Sequence, residues 1–328
     1  MTIHSVSPER LRALRAAGMQ RLSAAAFFDI RGPGALACLQ GLLTNDLAKP
    51  GDGALVYGAL LTPKGMIVAD GWTFRITAER LLFITDPAGH DSIADIFRRT
   101  MPPRLAKVTQ HGTEWEALWL YGEPVIQRMQ ALGLALPAGK TGVCSTMGAG
   151  EGEMILGRPA PTAPFQAVVI GAKAAVGSLH AALTAAGLAS GAAEDAEAFR
   201  ILAGWPGLGA EILEKTLPQE VRFDEIDGVS YSKGCYTGQE TVARLHFRGH
   251  ANRELRGLVW EGMPISDERA IVGAGGRDAG TVTSRLRLGG QIVGLGLVRR
   301  EIELGTRVIA AGRSARVVAL PFAPSLTE

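Results

Sequence analysis

Short apolar runs recur between glycine-containing turns in the C-terminal quarter of this 328-residue chain, and this pattern constrains its fold more than any other feature. The runs are Leu255–Trp260, Gly280–Leu286, Gln291–Val298, Thr306–Ala310 and Ser314–Leu320. Such spacing is typical of a small antiparallel barrel or sandwich. The glycine-rich segment 273–280 lacks G-x-G-x-x-G spacing, which favours a hairpin turn over a dinucleotide-binding loop. We therefore predict a C-terminal β-barrel domain over residues 250–328.

Residues 1–249 have a different, α+β pattern. Apolar strands such as Met66–Ile76 and Leu81–Thr85 alternate with helices such as Ala172–Ala186 and Glu194–Ala203. No repeat of fixed period interrupts this alternation. The sequence thus predicts an α+β body that precedes the barrel.

The charge balance excludes one class of partner. With 34 basic and 32 acidic side chains, the net charge is +2, so no extended field of one sign can hold nucleic acid or an anionic membrane. Apolar stretches are interrupted before the roughly 20 residues that a membrane helix needs. We expect no membrane partner, no direct nucleic-acid partner and a cytoplasmic location in a bacterium. The early arginines Arg10, Arg12, Arg15 and Arg21 leave open a transit peptide and the mitochondrial matrix, if the source is eukaryotic.

The three cysteines, Cys38, Cys144 and Cys235, form no C-x-x-C pair. An odd number argues against a disulfide framework, and a structural zinc or iron–sulfur site needs more ligands close together. His246 and His250 have the spacing of two helical metal ligands, but Gly249 disfavours a continuous helix between them. We therefore predict no stably bound metal.

Cys235 lies in the most informative stretch of the chain. Thr237 and Glu240 have the spacing of a capping box, which predicts a helix that begins at Gly238. A thiol just before a helix N-terminus is favoured as a thiolate, and Lys233 adds positive charge that lowers the thiol pKa. The alternative is that Cys235 is an inert small hydrophobic residue.

Four segments of the chain resemble one family. The run 232–244, SKGCYTGQETVAR, followed by HFRG at 246–249, is similar to the signature of the YgfZ family. The other matching segments are LQG with TND at 39–46, YGA with LTPKG at 57–65, and RI with AG at 200–204. YgfZ proteins bind folate and are related to the aminomethyltransferase, or T-protein, of the glycine cleavage system.

This resemblance implies an aminomethyltransferase-like fold. Two α+β subdomains, interleaved along residues 1–249, are expected to surround a central channel for tetrahydrofolate or a one-carbon derivative, and the barrel caps them. It also implies an accessory role in assembling or repairing 4Fe–4S clusters, with iron–sulfur assembly proteins and client enzymes as partners, including those that methylthiolate tRNA. The alternative is a folate-dependent aminomethyltransferase.

The same resemblance implies the site residues. Cys235 is the expected reactive thiol and Lys233 its activator, and Asp70 is the catalytic group only under the transferase alternative. The expected folate-binding residues are Asn45, Asp70, Arg200, Tyr236, Gln239 and Arg244. The local sequence also allows a different interpretation, in which Asn45 is a turn residue and Arg200 lies on a solvated helix face.

The chain departs from its relatives at two of these segments. Many relatives have an acidic residue where this chain has Leu202, and T-proteins have paired aspartates where it has Ala69 and Asp70. The second departure removes a charge partner and weakens the case for aminomethyl transfer.

Overall fold

The computed structural model describes residues 2–134, 136 and 140–323, and it contains the predicted α+β body and barrel. The helices are α1 (Pro8–Ala17), α2 (Ala35–Gln40), α3 (His90–Thr100), α4 (Val125–Ala131), α5 (Lys173–Ala185), α6 (Ala193–Ala203) and α7 (Gln239–Arg248). None of the helices in these ranges has the length and apolarity that a membrane crossing requires.

In the part of the chain that the structure describes, eighteen strands belong to two sheets. The strands before the barrel are β1 (Ile3–Val6), β2 (Met19–Ser23), β3 (Ala26–Arg31), β4 (Ala54–Leu61), β5 (Ile67–Thr77), β6 (Arg80–Thr85), β7 (Lys107–His111), β8 (Trp115–Tyr121), β9 (Val143–Met147), β10 (Met154–Arg158), β11 (Ala167–Ala172) and β12 (Ala189–Ser190). The later strands are β13 (Arg253–Trp260), β14 (Ala270–Val272), β15 (Asp278–Leu288), β16 (Gln291–Arg299), β17 (Arg307–Ala310) and β18 (Arg313–Val318).

Strands β13 to β18 close into the predicted barrel. Their order is β15-β14-β17-β18-β13-β16, and β16 pairs with β15 again, so the six antiparallel strands form a ring. Residues 273–277 join β14 to β15 as a hairpin turn, and the rest of the predicted turn segment, residues 278–280, begins β15. Strand β1, from the other end of the chain, adds to β15 in parallel, which brings the N-terminus onto the barrel.

The larger sheet has eleven strands in the order β12-β2-β8-β11-β10-β9-β4-β5-β6-β3-β7. A single residue pair, Ala54 with Val143, joins its six-stranded and five-stranded halves. Helices α2 and α3 cover an apolar core on the five-stranded half, and α4 and α5 cover another on the six-stranded half. The opposite faces of both halves share a third core with α1, α6 and the segment before α7.

Gly71 allows β5 and β6 to approach each other closely beside this shared core. A Cβ at Gly71 would lie 2.2 Å from the carbonyl oxygen of Ile84, so no larger residue fits without moving a strand. This contact holds Asp70 and Trp72, the two neighbours of Gly71 in β5, at the wall of a cavity.

Candidate ligand-binding cavity

A cavity of about 440 Å³ lies between the larger sheet, α6 and the loop that follows α6. Aromatic side chains and a few charged ones form its wall. The aromatic residues are Trp72, Trp119, Tyr121, Phe165 and Trp205, and the charged ones are His4, Arg21, Asp70, Asp86, Glu194, Glu197 and Arg200. Its size and its mixture of aromatic surface with few polar groups are typical of a small-molecule site.

Asp70 is the acidic group of the cavity that is best placed to exchange a proton. The hydroxyl of Tyr57, which is 3% exposed, donates to Asp70 Oδ2 at 2.7 Å. Burial raises the pKa of Asp70 to about 6, and the hydrogen bond from Tyr57 opposes this shift. The carboxyl therefore changes its protonation state close to neutral pH, as a general acid or base must.

Replacing Asp70 with asparagine is expected to stabilise the ligand-free protein above the pKa of this carboxyl. Folding raises the pKa from 3.8 to about 6, so the folded state binds more protons between these values and the free energy of unfolding falls as the pH rises through them. Asparagine removes a penalty of about 2 to 3 kcal/mol. Urea unfolding between about pH 4 and pH 7 should give a flatter profile for Asp70→Asn than for wild type. The exposed Asp91→Asn is the control, and identical profiles for wild type and Asp70→Asn would contradict the assignment.

A row of aromatic rings leads away from Asp70 along the wall. Tyr57 packs on Trp72 with ring centroids 5.0 Å apart, Trp72 on Phe165 at 5.2 Å, and Phe165 on Trp119 at 4.7 Å. Trp205 stacks on Trp72 at 5.7 Å with only 10° between the ring planes. Such a surface offers flat, rigid faces to an aromatic ligand.

Arg200 lies buried in an ion-pair network, so its interpretation as a residue on a solvated helix face is wrong. The guanidinium donates to Glu211 at 2.6 Å and to both carboxylate oxygens of Glu197 at 2.5 and 2.8 Å. It also donates to the Trp205 carbonyl and to Ser284 Oγ of the barrel. Burial raises the pKa of Glu197, but the hydrogen bonds from Arg200 outweigh this and hold the pKa below its ordinary value.

Asn45 lies outside this cavity. It lines a separate cavity of about 240 Å³, which shares Trp72 with the first and also contacts Tyr57. Its amide donates to the carbonyls of Tyr57 and Asp227 and accepts from the backbone N–H of Asp46. Within the described residues these contacts give Asn45 the turn-forming role that its local sequence allows.

Lys233 is anchored to the loop that contains Asn45. Its ammonium donates to the carbonyls of Gln40, Leu43 and Asn45 at 2.6, 2.6 and 2.9 Å, which uses all three of its N–H groups. Burial lowers the pKa of Lys233 to about 8, and the carboxylate of Asp46 opposes the shift. The contacts of Lys233 are structural, and its effect on the Cys235 thiol stays a prediction.

The predicted capping box at Thr237 is wrong. Helix α7 begins at Gln239, its N-cap is Gly238 with φ 81°, and no side chain caps it. A Cβ at Gly238 would lie 2.6 Å from the Thr62 carbonyl, so the turn 62–65 covers the helix start where a capping side chain was expected. Thr237 instead donates its N–H to the Gly41 carbonyl at 3.1 Å.

The remaining residues of the signature surround the start of α7. Tyr236 is buried, with the Lys233 ammonium 4.9 Å from its ring centre, and its N–H donates to Gln239 Oε1 at 3.2 Å. Cys235 and Arg244 are exposed. The wall of the 440 Å³ cavity includes neither Cys235 and Tyr236 nor Gln239 and Arg244.

His246 stacks on Tyr231, with ring centroids 3.6 Å apart. No cluster of three or more His, Cys, Asp or Glu side chains within the described ranges is arranged to hold a metal ion.

The fold thus brings Asp70 and Arg200 together and leaves the other candidates elsewhere. Sequence reasoning missed the aromatic row and Arg21. A signal for both exists, because residues two apart on a strand share a face. Arg21 with Ser23, and Trp119 with Tyr121, are such pairs, and all four line the cavity.

Comparison with known proteins identifies the class. Residues 3–139 match the GCVT N-terminal domain family. An aminomethyltransferase of Rubrobacter xylanophilus is 30% identical over 302 residues, which cover 89% of this chain and 79% of that protein. The crystal structure of the glycine cleavage system aminomethyltransferase T from Bartonella henselae has the same fold, with a TM-score of 0.78, 19% identity, and coverage of 95% of this chain and 88% of that one. The chain therefore belongs to the aminomethyltransferase class and has its fold.

The chain is also similar to a second group of proteins, over a shorter segment but with higher sequence identity. A tRNA-modifying protein YgfZ of Serratia proteamaculans is 43% identical over 95 residues, which cover 27% of this chain and 28% of that protein. Together with the match to the aminomethyltransferase class, these matches confirm the expected resemblance to the YgfZ family. The chain belongs to the YgfZ family, which is related to the T-protein of the glycine cleavage system.

Proposed function

We propose that the 440 Å³ cavity binds tetrahydrofolate or a one-carbon derivative of it. The observation that carries this proposal is the composition of one wall: the carboxyl of Asp70 lies beside a row of aromatic rings. Folate combines a flat hydrogen-bonding pterin with an aromatic linker and an anionic glutamate. The residues present therefore fit the pterin and the linker in kind.

Each part of the wall has a separate task in this proposal. Asp70 accepts or holds a proton at the pterin, and Tyr57 orients its carboxyl. Trp72 and Trp205 provide stacking surface, and Arg200 fixes Glu197 beside them. Bound tetrahydrofolate would supply a carrier for one-carbon units.

We further propose that the protein is an accessory factor for assembly or repair of 4Fe–4S clusters in client enzymes, including those that methylthiolate tRNA. Cys235 acts as its reactive thiol. Two observations support this: Cys235 is exposed, where a client protein can reach it, and the relatives matched over part of the chain are named tRNA-modifying proteins. Because Cys235 lies outside the cavity wall, folate binding and thiol chemistry occupy different places.

Replacing Cys235 with alanine is expected to abolish function without changing folate affinity. In cells that lack the gene, wild type should restore aconitase activity and 2-methylthio-modified tRNA, and Cys235→Ala should restore neither. Tetrahydrofolate titration of the purified proteins should give the same dissociation constant within about twofold, since no cavity contact is removed. Cys38→Ala is the matched control. Full rescue by Cys235→Ala would remove the thiol from the proposal, and a deletion without effect on either readout would remove the cluster role.

Aminomethyl transfer is the second candidate, and two observations favour it. Asp70 lies in the cavity with a pKa of about 6, and the match to the Rubrobacter aminomethyltransferase extends over most of the chain. Purified protein with tetrahydrofolate and an S-aminomethyl donor should then form methylenetetrahydrofolate and release ammonia and the free thiol of the donor, and Asp70→Asn should abolish this turnover. An accessory factor shows no such turnover.

A further inference from the structure

Arg21 lines the cavity, and the proposed function has so far given this cationic side chain no role. It lies on β2 directly opposite Trp119 of β8 in the register of the two strands, so both side chains are on the face that lines the cavity. Ser23 and Tyr121 lie on the same face and complete this part of the wall.

The guanidinium of Arg21 has no carboxylate partner among the residues that the structure describes. The other cavity guanidinium, Arg200, is fully occupied by Glu197 and Glu211. Arg21 is only half-buried, and its charge acts on the buried phenol of Tyr121. A half-buried cation that faces a cavity without an internal counterion is available to an anionic ligand group.

Arg21 and Asp70 lie on different parts of the wall. Strands β8, β11, β10, β9 and β4 separate β2 from β5 in the sheet. The charged groups that act on Asp70 are Asp86 and Arg200. The aromatic row runs from Tyr57 and Trp72, beside Asp70, to Trp119, beside Arg21, so it connects Asp70 with Arg21.

We propose that Arg21 binds the glutamate carboxylates of the folate and thereby sets the direction in which the ligand enters the cavity. This inference rests on the proposed folate binding and deepens it. The pterin then lies on the Asp70 side, the aminobenzoyl ring lies along the aromatic row, and the glutamate reaches Arg21. Arg21 is a positioning and specificity residue in this arrangement, and it takes no part in any reaction.

The test compares tetrahydrofolate with the neutral amide of tetrahydropteroic acid, which keeps the pterin and the aminobenzoyl ring but carries no carboxylate. Wild type should bind tetrahydrofolate about tenfold more tightly, the gain typical of a charge-assisted hydrogen bond. Arg21→Gln should lose this preference while it binds the amide as wild type does, and its unchanged affinity for the amide also shows that the variant is folded. Arg104→Gln, at an exposed position outside the cavity, should behave as wild type.

Each other outcome overturns a specific claim. If Arg21→Gln keeps the preference for tetrahydrofolate, or if wild type has none, Arg21 does not bind the glutamate although the cavity binds the pterin. If wild type binds neither ligand, the proposed folate binding fails and the role of Arg21 fails with it.

Discussion

Replacing Arg200 with methionine is expected to lower the free energy of unfolding by about 3 to 5 kcal/mol, the usual cost of leaving a buried charge without its partner. Glu211 is 0% exposed and would lose the guanidinium that lies 2.6 Å away. Its other oxygen accepts from Ser284 Oγ of the barrel, so the loss reaches the contact between body and barrel. Urea unfolding at neutral pH measures the effect.

Two further variants distinguish the loss of stability caused by breaking the buried ion pairs from the loss caused by removing any arginine. Arg98→Met removes an exposed arginine paired with Asp95 and should cost less than about 1 kcal/mol. The double variant Arg200→Met with Glu211→Gln should recover part of the loss, because the fully buried carboxylate of Glu211 is then removed and only the partly exposed Glu197 is left without its partner. Equal destabilisation by Arg200→Met and Arg98→Met would show that the network contributes little.

Replacing Lys233 with methionine is expected to destabilise the protein by about 3 kcal/mol or more. The carbonyls of Gln40, Leu43 and Asn45 would lose their common donor inside the protein, and a buried acceptor without a partner costs about 1 to 3 kcal/mol. Urea unfolding measures the loss, and alkylation by iodoacetamide measures the reactivity of Cys235 in the same variant.

The two measurements distinguish the roles of Lys233. An unchanged free energy of unfolding with slower alkylation would mean that Lys233 acts only on the thiol and that its carbonyl contacts matter little. Lys107→Met, at an exposed position on β7, is the control and should change neither value.

The predictions for Arg200 and Lys233 have the same consequence for the candidate site. Arg200 joins α6, the following loop and the barrel, and Lys233 joins the segment before α7 to the loop 40–45. Arg200, which was expected to bind folate, and Lys233, which was expected to activate the thiol, therefore also hold together chain segments that are far apart in sequence. A loss of activity in either variant needs a stability measurement before it is assigned to the site.

The local elements of this fold were predictable, because their signals are local. The barrel strands, the strand pair β5 and β6, and helices α5 and α6 are visible in alternation, apolar runs and glycine stops. The start of α7 was not predictable in the same way. Thr237 has the spacing of a cap, but Gly238 lies against the turn 62–65, and this contact spans more than half of the chain.

The sequence by itself determined the family and the α+β body with its barrel, because motifs and periodicity are properties of neighbouring residues. Only the tertiary structure decided which of the candidates share a cavity. Asp70 and Arg200 meet the aromatic row and Arg21 there, whereas Asn45 and Cys235 lie elsewhere. The physical reason is that the curled sheet and α6 join residues from both ends of the sheet, and no pattern within a single strand records which distant strand it will face.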